Sequence, residues 1–265
     1  MTSAMNDQQL KEIAGTITRQ LTPRFPVRAA MLQKNMRRYL ATLRFLETYL
    51  KPEFAGRILD YGCGFPLLLR LLRESGYDAV GFEPYAMQEH HDVAACLGVS
   101  ESYFTALPTG AQYDVVTLVD VIEHLSILRP TMTDIIERIR PGGQLVISTP
   151  NGLRFGQWLA FVRRKTAHPT AINKFLETDN NYVNHQREFT REELALTVRH
   201  YGLEVESLIC VDTTPSRRDL DEYRKSLGQS VGRTPWRAHM RDWLQQSLPA
   251  DWQNNFFLLA RKPGP

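Results

Sequence analysis

Cysteine is scarce in this sequence, and the few cysteines present are not paired. The 265 residues contain three, Cys63, Cys96 and Cys210, and no C-x-x-C spacing occurs. Structural zinc sites and disulfide frameworks need closely spaced or numerous cysteines, so neither is predicted here. Isolated thiols are typical of a reducing compartment, and we expect a cytoplasmic protein.

Long apolar runs and a concentrated positive charge are also missing. No stretch approaches the roughly 18 apolar residues of a membrane-spanning helix, and residues 1–15 lack the apolar centre of a signal peptide. The net charge is +3, with the basic residues dispersed. Nucleic-acid-binding proteins usually carry a basic patch or stripe. We therefore expect neither an integral membrane segment nor a nucleic-acid partner.

The hydrophobic share of 43% is ordinary for a globular protein and sufficient for a substantial core. The most informative stretch runs from Arg57 to Glu83 and reads RILDYGCGFPLLLRLLRESGYDAVGFE. A short apolar run is interrupted by Gly62 and Gly64, and leucines then recur at helical spacing as far as Gly76. A second apolar run ends on Glu83. The pattern predicts a strand, a glycine turn, a helix and a strand.

This stretch has the features of an adenosine-binding unit. A glycine turn lets backbone N–H groups at a helix start approach a ligand, and an acid about 20 residues further on can bind two ribose hydroxyls. A dinucleotide site needs a third glycine where Leu67 stands, and Asp60 would repel a pyrophosphate. A nicotinamide-dependent dehydrogenase is therefore disfavoured.

Three motifs carry a family resemblance. Leu59, Asp60, Gly62, Cys63 and Gly64 resemble the first motif of the class I S-adenosylmethionine-dependent methyltransferases. The string at 113–125, YDVVTLVDVIEHL, is similar to the fourth-strand motif of the ubiquinone-biosynthesis type of O-methyltransferase. The string at 138–151, RIRPGGQLVISTPN, closes the same pattern. The resemblance covers about 58–208 and the final strand.

The resemblance implies an α/β fold with a Rossmann-like, doubly wound sheet of seven strands, the last of them antiparallel. Residues 1–52 are predicted to form an N-terminal helical extension, and 53–265 the methyltransferase domain. Insertions at about 152–184 and 211–252 are expected to form a lid, because connections are usually only about 4 to 6 residues long. The first insertion either covers the active site or meets a membrane or lipid-linked substrate.

S-adenosylmethionine is the cofactor that the resemblance implies, with S-adenosylhomocysteine as the product. The glycine turn would cradle the methionine part, the acid after the second strand would bind the ribose, and the segment before Pro108 would flank the adenine. Thr105 and Ala106 replace the acid that many relatives carry there. The predicted cofactor-binding residues are Asp60, Tyr61, Gly62, Cys63, Gly64, Glu83, Pro84, Ala106, Leu107, Asp120 and Val121.

Methyl transfer to a hydroxyl also needs a general base, usually a histidine or a carboxylate. His185 and His124 are the predicted catalytic residues, and Asp120 and Glu123 are further candidates. His185 follows the first insertion, and Arg187 beside it could pair with an anionic group. Alternatively, both only tie the lid to the sheet. No acid and histidine ligands cluster in the sequence, so no metal site is predicted.

The acceptor is expected to be a small molecule or a glycan-type compound. Insertions rich in Trp and Arg favour a hydroxyl of a sugar or glycan, because aromatic faces and guanidinium groups suit sugar rings and anions. A quinone-like or polyketide phenol is the alternative acceptor, and a catalytically silent binding subunit is the alternative of another class. No oligomeric state is predicted.

Two smaller expectations concern helices beside the predicted cofactor turn. The helix before residue 50 either packs on the sheet or brings Arg37, Arg38 or Tyr39 to the cofactor. His90 and His91 are adjacent, so they point to different sides of their helix and cannot chelate one metal as an i, i+4 pair can. We expect both to be surface residues.

Overall fold

The computed structural model describes residues 7–50, 54–155, 162, 185–215, 217–231, 247 and 249–264. The chain begins with two helices, α1 (Asp7–Leu21) and α2 (Pro26–Tyr49). Pro26 occupies the first turn of α2, where its missing N–H costs no hydrogen bond. The N-terminal segment is therefore helical, and the chain breaks between the two helices around Pro23 and Pro26.

The next elements alternate between strand and helix. They are β1 (Arg57–Tyr61), α3 (Leu67–Glu74), β2 (Asp78–Phe82), α4 (Gln88–Cys96), β3 (Tyr103–Phe104) and β4 (Tyr113–Val119). Strand β1 pairs in parallel with β2 on one side and with β4 on the other. Five leucines of α3 are buried, which explains the leucine run after the glycine turn.

The remaining described elements are α5 (Leu128–Arg138), β5 (Ile139–Pro150), α6 (Arg191–His200), β6 (Glu204–Val211), α7 (Arg217–Ser226) and β7 (Asn255–Arg261). The seven strands form one sheet in the order β3-β2-β1-β4-β5-β7-β6. Strand β7 runs antiparallel to both β5 and β6. The predicted seven-stranded sheet with an antiparallel last strand is confirmed.

Strand β5 is longer than the sequence indicated. The Pro-Gly-Gly sequence at 141–143 is typical of a turn, but β5 already begins at Ile139 and runs through these residues. The reason is a pairing partner from the far end of the chain. The Gly142 N–H donates to the Lys262 carbonyl, and the Lys262 N–H donates to the Gly143 carbonyl.

The chain divides into two compact units, residues 1–117 with 213–233 and residues 118–212 with 234–265. Helix α7, which lies in the predicted second insertion, belongs to the first unit. There the Lys34 ammonium of α2 lies 4.4 Å from the ring centroid of Tyr223 on α7. Most of the first insertion and the Trp-containing part of the second lie outside the described residues. The predicted lid and the boundary at residue 52 stay predictions.

Among the described residues, no helix combines the length and the apolar character that crossing a membrane would require.

Candidate functional site

The loop after β1 has the backbone geometry of a ligand-binding turn. Gly62 and Gly64 have φ angles of 73° and 53°, which L side chains rarely adopt. The N–H groups of Gly62 and Cys63 both donate to the Phe82 carbonyl at 2.7 and 3.1 Å, which ties the turn to the end of β2. A Cβ built on Gly64 would meet no atom within 4 Å. The turn is therefore fixed, and open space lies beside Gly64.

Glu83 lies beside this turn, at the end of β2. Its carboxylate accepts hydrogen bonds from the Gly64 N–H at 3.0 Å and from the Tyr85 N–H at 3.2 Å. The residue is 7% exposed, and desolvation raises the pKa of its carboxyl although both hydrogen bonds lower it. Each carboxylate oxygen has a second lone pair, which suits a pair of ribose hydroxyls. The glycine turn thus helps to fix the orientation of the Glu83 carboxylate.

Asp60 is the most deeply buried acid of the first unit's site, at 2% exposed. The Thr117 hydroxyl donates to its carboxylate at 3.0 Å. Desolvation raises the pKa of the Asp60 carboxyl to about 7, and the Glu83 charge adds to the increase while Thr117 opposes it. A buried carboxylate of this kind is stabilised by a cation. An ammonium group beside it would favour the ionised form.

Two further residues of the turn serve packing. Tyr61 is 8% exposed, and its ring lies edge-on to Phe82 with centroids 4.9 Å apart. A Cβ on Gly81 would lie 2.7 Å from the Cys63 sulfur, so glycine is needed there. Desolvation raises the pKa of the Cys63 thiol well above its ordinary value, which disfavours a nucleophilic thiolate. Both residues are expected to offer a ligand their backbone rather than their side chains.

A three-layer stack around Phe65 was not predicted from the sequence. On one face, the Arg28 guanidinium of α2 lies 3.7 Å from the Phe65 ring centroid. On the other, His90 of α4 stacks with its centroid 4.0 Å away and the planes 9° apart. Arg28 also makes two hydrogen bonds to the Glu89 carboxylate, at 2.9 and 2.7 Å. Two helices therefore fix the residue that directly follows Gly64.

The expectation that His90 is a surface residue is wrong. His90 is 8% exposed, because its ring faces Phe65 and its Nδ1 accepts the Met87 N–H at 3.1 Å. Of the α2 residues considered for cofactor contact, Tyr39 is buried, and desolvation raises the pKa of its hydroxyl to about 12, with Asp60 adding a smaller contribution. Helix α2 therefore borders Asp60 and the glycine turn.

The predicted adenine segment follows β3. Ala106 and Pro84 are exposed and Leu107 is half-buried, so their surfaces remain accessible to a ligand. The Tyr103 hydroxyl donates to the Gly64 carbonyl at 3.1 Å, which links β3 to the glycine turn. Together these residues offer S-adenosylmethionine a glycine cradle, two carboxylates and an apolar edge. The residues present fit this cofactor, and their individual roles stay predictions.

In the second unit, β4 ends in an unusual backbone conformation. Asp120 has a φ of 55°, the one positive value among the non-glycine residues that the structure describes. Its N–H donates to the Ser148 carbonyl of β5 at 2.9 Å. Val121 then starts a short 3-10 helix, Ile122–His124. Strained residues of this kind occur often at functional sites, and the strain re-aims the chain directly after the strand.

Glu123, His124 and His185 come together beyond this turn. The rings of His124 and His185 meet edge to face with centroids 4.9 Å apart. Glu123 is completely buried, and its carboxylate accepts the Thr149 hydroxyl at 2.9 Å. Its backbone carbonyl accepts the N–H groups of Gln186 and Arg187 at 2.7 and 3.2 Å. The loop after the first insertion is thus tied to the 3-10 helix.

This clustering corrects a statement made from the sequence. Acid and histidine ligands do cluster, since one ligand atom from each of Glu123, His124 and His185 lies within 4.8 Å of the others. Such a set could hold a divalent cation. His185 is about 60 residues from His124 along the chain, so no local pattern brings the three together; in the fold its ring contacts His124, and the next two N–H groups bond to the Glu123 carbonyl.

Arg187 lies just before α6, and its suggested pairing with an anionic group stays a prediction. Its guanidinium pairs with the Glu193 carboxylate at 2.8 Å. Glu193 is also the N3 residue of a capping box with Thr190 at the start of α6. Arg187 therefore stabilises the helix start.

The sequence also did not predict the ion pair between Glu188 and Arg154, which contacts His185. The His185 Nδ1 lies 2.8 Å from a Glu188 oxygen. The Arg154 guanidinium donates to both Glu188 oxygens at 2.6 and 3.0 Å. Burial raises the pKa of Glu188, but the hydrogen bonds from His185 and Arg154 outweigh it and lower the value to about 2. Glu188 is therefore an ionised, hydrogen-bonded carboxylate at neutral pH.

Comparisons with known proteins agree with this geometry. Residues 32–208, more than half of the chain, match the family model described as a methyltransferase domain. The ubiquinone biosynthesis O-methyltransferase of Rickettsia bellii is 32% identical over 102 residues, which cover 36% of this chain and 42% of that protein. The match thus spans less than half the length of this curated relative.

Solved structures show the same fold at low sequence identity. A SAM-dependent methyltransferase from Thermotoga maritima has a TM-score of 0.55 at 14% identity, over 93% of this chain and 99% of that one. The 4+2-cyclase SpnF has a TM-score of 0.52 at 17% identity, over 84% and 80%. Similarity at this level establishes the fold alone. Through its family model, the chain belongs to the methyltransferase domain family, the class I methyltransferases that use S-adenosylmethionine.

Proposed function

We propose that this protein is an O-methyltransferase that transfers a methyl group to a hydroxyl oxygen. The observation that carries the donor side is the Gly64 N–H bonded to Glu83 beside the buried Asp60. In this proposal, the turn holds the methionine end, Asp60 pairs with the amino group and Glu83 binds the ribose. Asp120 and Val121, predicted from the sequence to contact the cofactor, follow β4 in the second unit.

The acceptor side is proposed to depend on His185. S-adenosylmethionine supplies an electrophilic methyl group on a sulfonium. The hydroxyl oxygen of the acceptor forms a bond to the methyl carbon as the carbon–sulfur bond breaks, and the hydroxyl proton passes to the His185 Nε2. His124, whose ring lies against His185, is the alternative base. The protein otherwise contributes orientation and exclusion of water.

A phenolic hydroxyl on a quinone-like compound is the acceptor that we propose. Two considerations support it. The similar Rickettsia bellii protein is named a ubiquinone biosynthesis O-methyltransferase. In addition, a phenol has a pKa of about 10 and is much more acidic than a sugar hydroxyl, so a neutral imidazole assists its deprotonation effectively.

A sugar or glycan hydroxyl is the second candidate. It rests on the composition of the second insertion, where Trp236, Arg237 and Trp243 stand. These three residues lie outside the described part of the chain. Of the described basic residues in this insertion, Arg218 pairs with Glu222 at 2.9 Å.

An acceptor panel with matched variants tests the proposal. Purified protein is incubated with S-adenosylmethionine and either catechol-type phenols or sugars, and S-adenosylhomocysteine release is measured. We expect release with a phenol, and a loss of about 100-fold or more in kcat for His185→Ala, because general-base catalysis is typically worth that much. His200→Ala, at the exposed end of α6, is the control and should keep full activity.

Each other outcome is informative. Full activity in His185→Ala with loss in His124→Ala would transfer the base role to His124. Turnover of sugars alone would replace the phenol by the second candidate. Binding of S-adenosylhomocysteine without methylation of any compound would favour a catalytically silent subunit.

A further inference from the structure

His185 is hydrogen-bonded through its ring nitrogen Nδ1. Its Nδ1 lies 2.8 Å from the Glu188 carboxylate. An ionised carboxylate only accepts hydrogen bonds, so the proton of a neutral imidazole must reside on Nδ1. The Nε2 atom then carries the lone pair. The hydrogen bond therefore selects one of the two tautomers, as a partner on the second nitrogen generally does.

Glu188 is itself held rigidly. Its side chain is 7% exposed, and Arg154 donates to both of its oxygens. This two-bond arrangement fixes the plane of the carboxylate as well as its charge. Arg154 also donates to the Asn151 carbonyl at 2.9 Å, directly after β5. Through Arg154 and Glu188, the backbone at the end of β5 thus helps to fix the orientation of the His185 ring.

The loop that carries His185 and Glu188 is fixed to the same strand end. The Gly152 N–H donates to the Phe189 carbonyl at 2.9 Å, and Asn151 forms a parallel bridge with Phe189. The Asn151 side-chain amide donates to the carbonyls of Asp251 and Gln253, both at 2.9 Å. Asn151 is completely buried. These bonds anchor the loop of His185 and Glu188 to the end of β5. The His185 side chain is 35% exposed, so its ring remains accessible.

We propose that Glu188 is a positioning residue for methyl transfer, which holds His185 in the Nδ1–H tautomer so that Nε2 takes the acceptor's proton, with Arg154 fixing the carboxylate. This inference rests on the proposed role of His185. During the step, the acceptor oxygen bonds to the methyl carbon, the carbon–sulfur bond breaks, and the proton moves from the hydroxyl to Nε2. Glu188 exchanges no proton.

The first test compares Glu188→Gln, Glu188→Asp and the control Glu192→Gln, an exposed acid of α6. An amide at position 188 can donate as well as accept, so it no longer selects the tautomer. We expect kcat to fall by about 10- to 100-fold in Glu188→Gln, a part of the total contribution of the base. The KM values for both substrates and the affinity for S-adenosylhomocysteine should stay near wild type. Glu188→Asp should recover part of the loss.

A second readout separates positioning from general structural damage. Phenols with different ring substituents differ in hydroxyl acidity, and the less acidic ones need more help from the base. In Glu188→Gln, the loss of kcat should therefore grow as the phenol becomes less acidic. A uniform loss across the series would indicate a merely structural role and overturn the inference. All assays are run with and without EDTA, and activity that depends on an added divalent metal would also overturn it.

The third test needs no variant at position 188. In the wild-type protein labelled with nitrogen-15 on histidine, the His185 signals are assigned by comparison with His185→Ala. We expect the neutral imidazole to carry its proton on Nδ1, and a neutral imidazole with its proton on Nε2 would contradict the proposal even if Glu188→Gln fails to fold.

The two proposals fail differently. Full turnover by His185→Ala would overturn the proposed base and the inference that rests on it. Loss of turnover in His185→Ala combined with wild-type kinetics in Glu188→Gln would overturn the positioning role alone.

Discussion

Glu83 illustrates how a single residue links the sequence pattern to the site. Its position was predicted from spacing, but its carboxylate is fixed by the N–H groups of Gly64 and Tyr85. These bonds orient the carboxylate without a ligand, so little rotamer freedom remains to be lost on binding. The acid and the glycine turn therefore act as one structural feature.

We expect the affinity for the cofactor to depend on Glu83. In the proposed ribose-binding role of Glu83, Glu83→Ala removes a charge-assisted pair of hydrogen bonds, and we expect cofactor binding to weaken by roughly 1.5–3 kcal/mol. Titration calorimetry with S-adenosylhomocysteine measures the change. Glu101→Ala, an exposed acid before β3, is the control. Unchanged affinity in Glu83→Ala would refute the ribose assignment.

At the scale of secondary-structure elements, the glycine turn depends on two helices that are far from it in sequence. Helix α2 contributes Arg28 and helix α4 contributes His90, and the two side chains enclose Phe65. Because Phe65 directly follows Gly64, these contacts connect α2 and α4 to the glycine turn. The N-terminal helices are thus part of the framework of the turn.

We expect Arg28→Ala to loosen this stack. The change removes a cation–π contact and an ion pair with Glu89, and the unfolding free energy should fall by roughly 1 kcal/mol. Affinity for S-adenosylhomocysteine should fall by about 3- to 10-fold, while kcat at saturating cofactor stays unchanged. Denaturant unfolding and calorimetry provide the two measurements.

Arg24→Ala is the matched control for this variant. Arg24 is exposed and lies 5.4 Å from the Phe25 ring centroid, away from the turn. Equal losses of affinity in both variants would show that Arg28 has no specific link to the cofactor turn.

The buried carboxyl of Asp60 should make the stability of the whole molecule depend on pH in an unusual way. Desolvation raises the pKa of its carboxyl in the folded protein to about 7, whereas the unfolded value is about 3.9. Between these values the folded state holds a proton that the unfolded state has lost. The Asp60 carboxyl therefore contributes to the free energy of unfolding fully below about pH 4. This contribution, on the order of 4 kcal/mol in total, is lost as the pH rises towards 7.

Urea unfolding of wild type and Asp60→Asn at pH 5, 6, 7 and 8 checks this expectation. The amide cannot ionise, so the variant should gain stability relative to wild type as the pH rises. Asp78→Asn, an exposed acid at the start of β2, should show no such trend. S-adenosylhomocysteine should reduce the pH dependence of wild type, because its ammonium group would favour the ionised Asp60.

Sequence patterns were sufficient for the succession of strands along the chain and for the glycine turn after β1. Both depend on neighbours within one segment, such as the glycines after β1 and the apolar run of β4. Element ends were less predictable. Strand β5 extends back to Ile139 because its partner is the chain around Lys262, more than 100 residues later.

The sequence by itself therefore predicted the glycine turn after β1 and the acid at the end of β2, because local backbone preferences and short spacings specify Gly62, Gly64 and Glu83. Only the tertiary structure decided which side chains support the chemistry. Arg28 reaches Phe65, His185 reaches His124, and Arg154 reaches Glu188. These pairs are separated by about 30 to 60 residues, and their contacts depend on how distant elements pack, which no local pattern records.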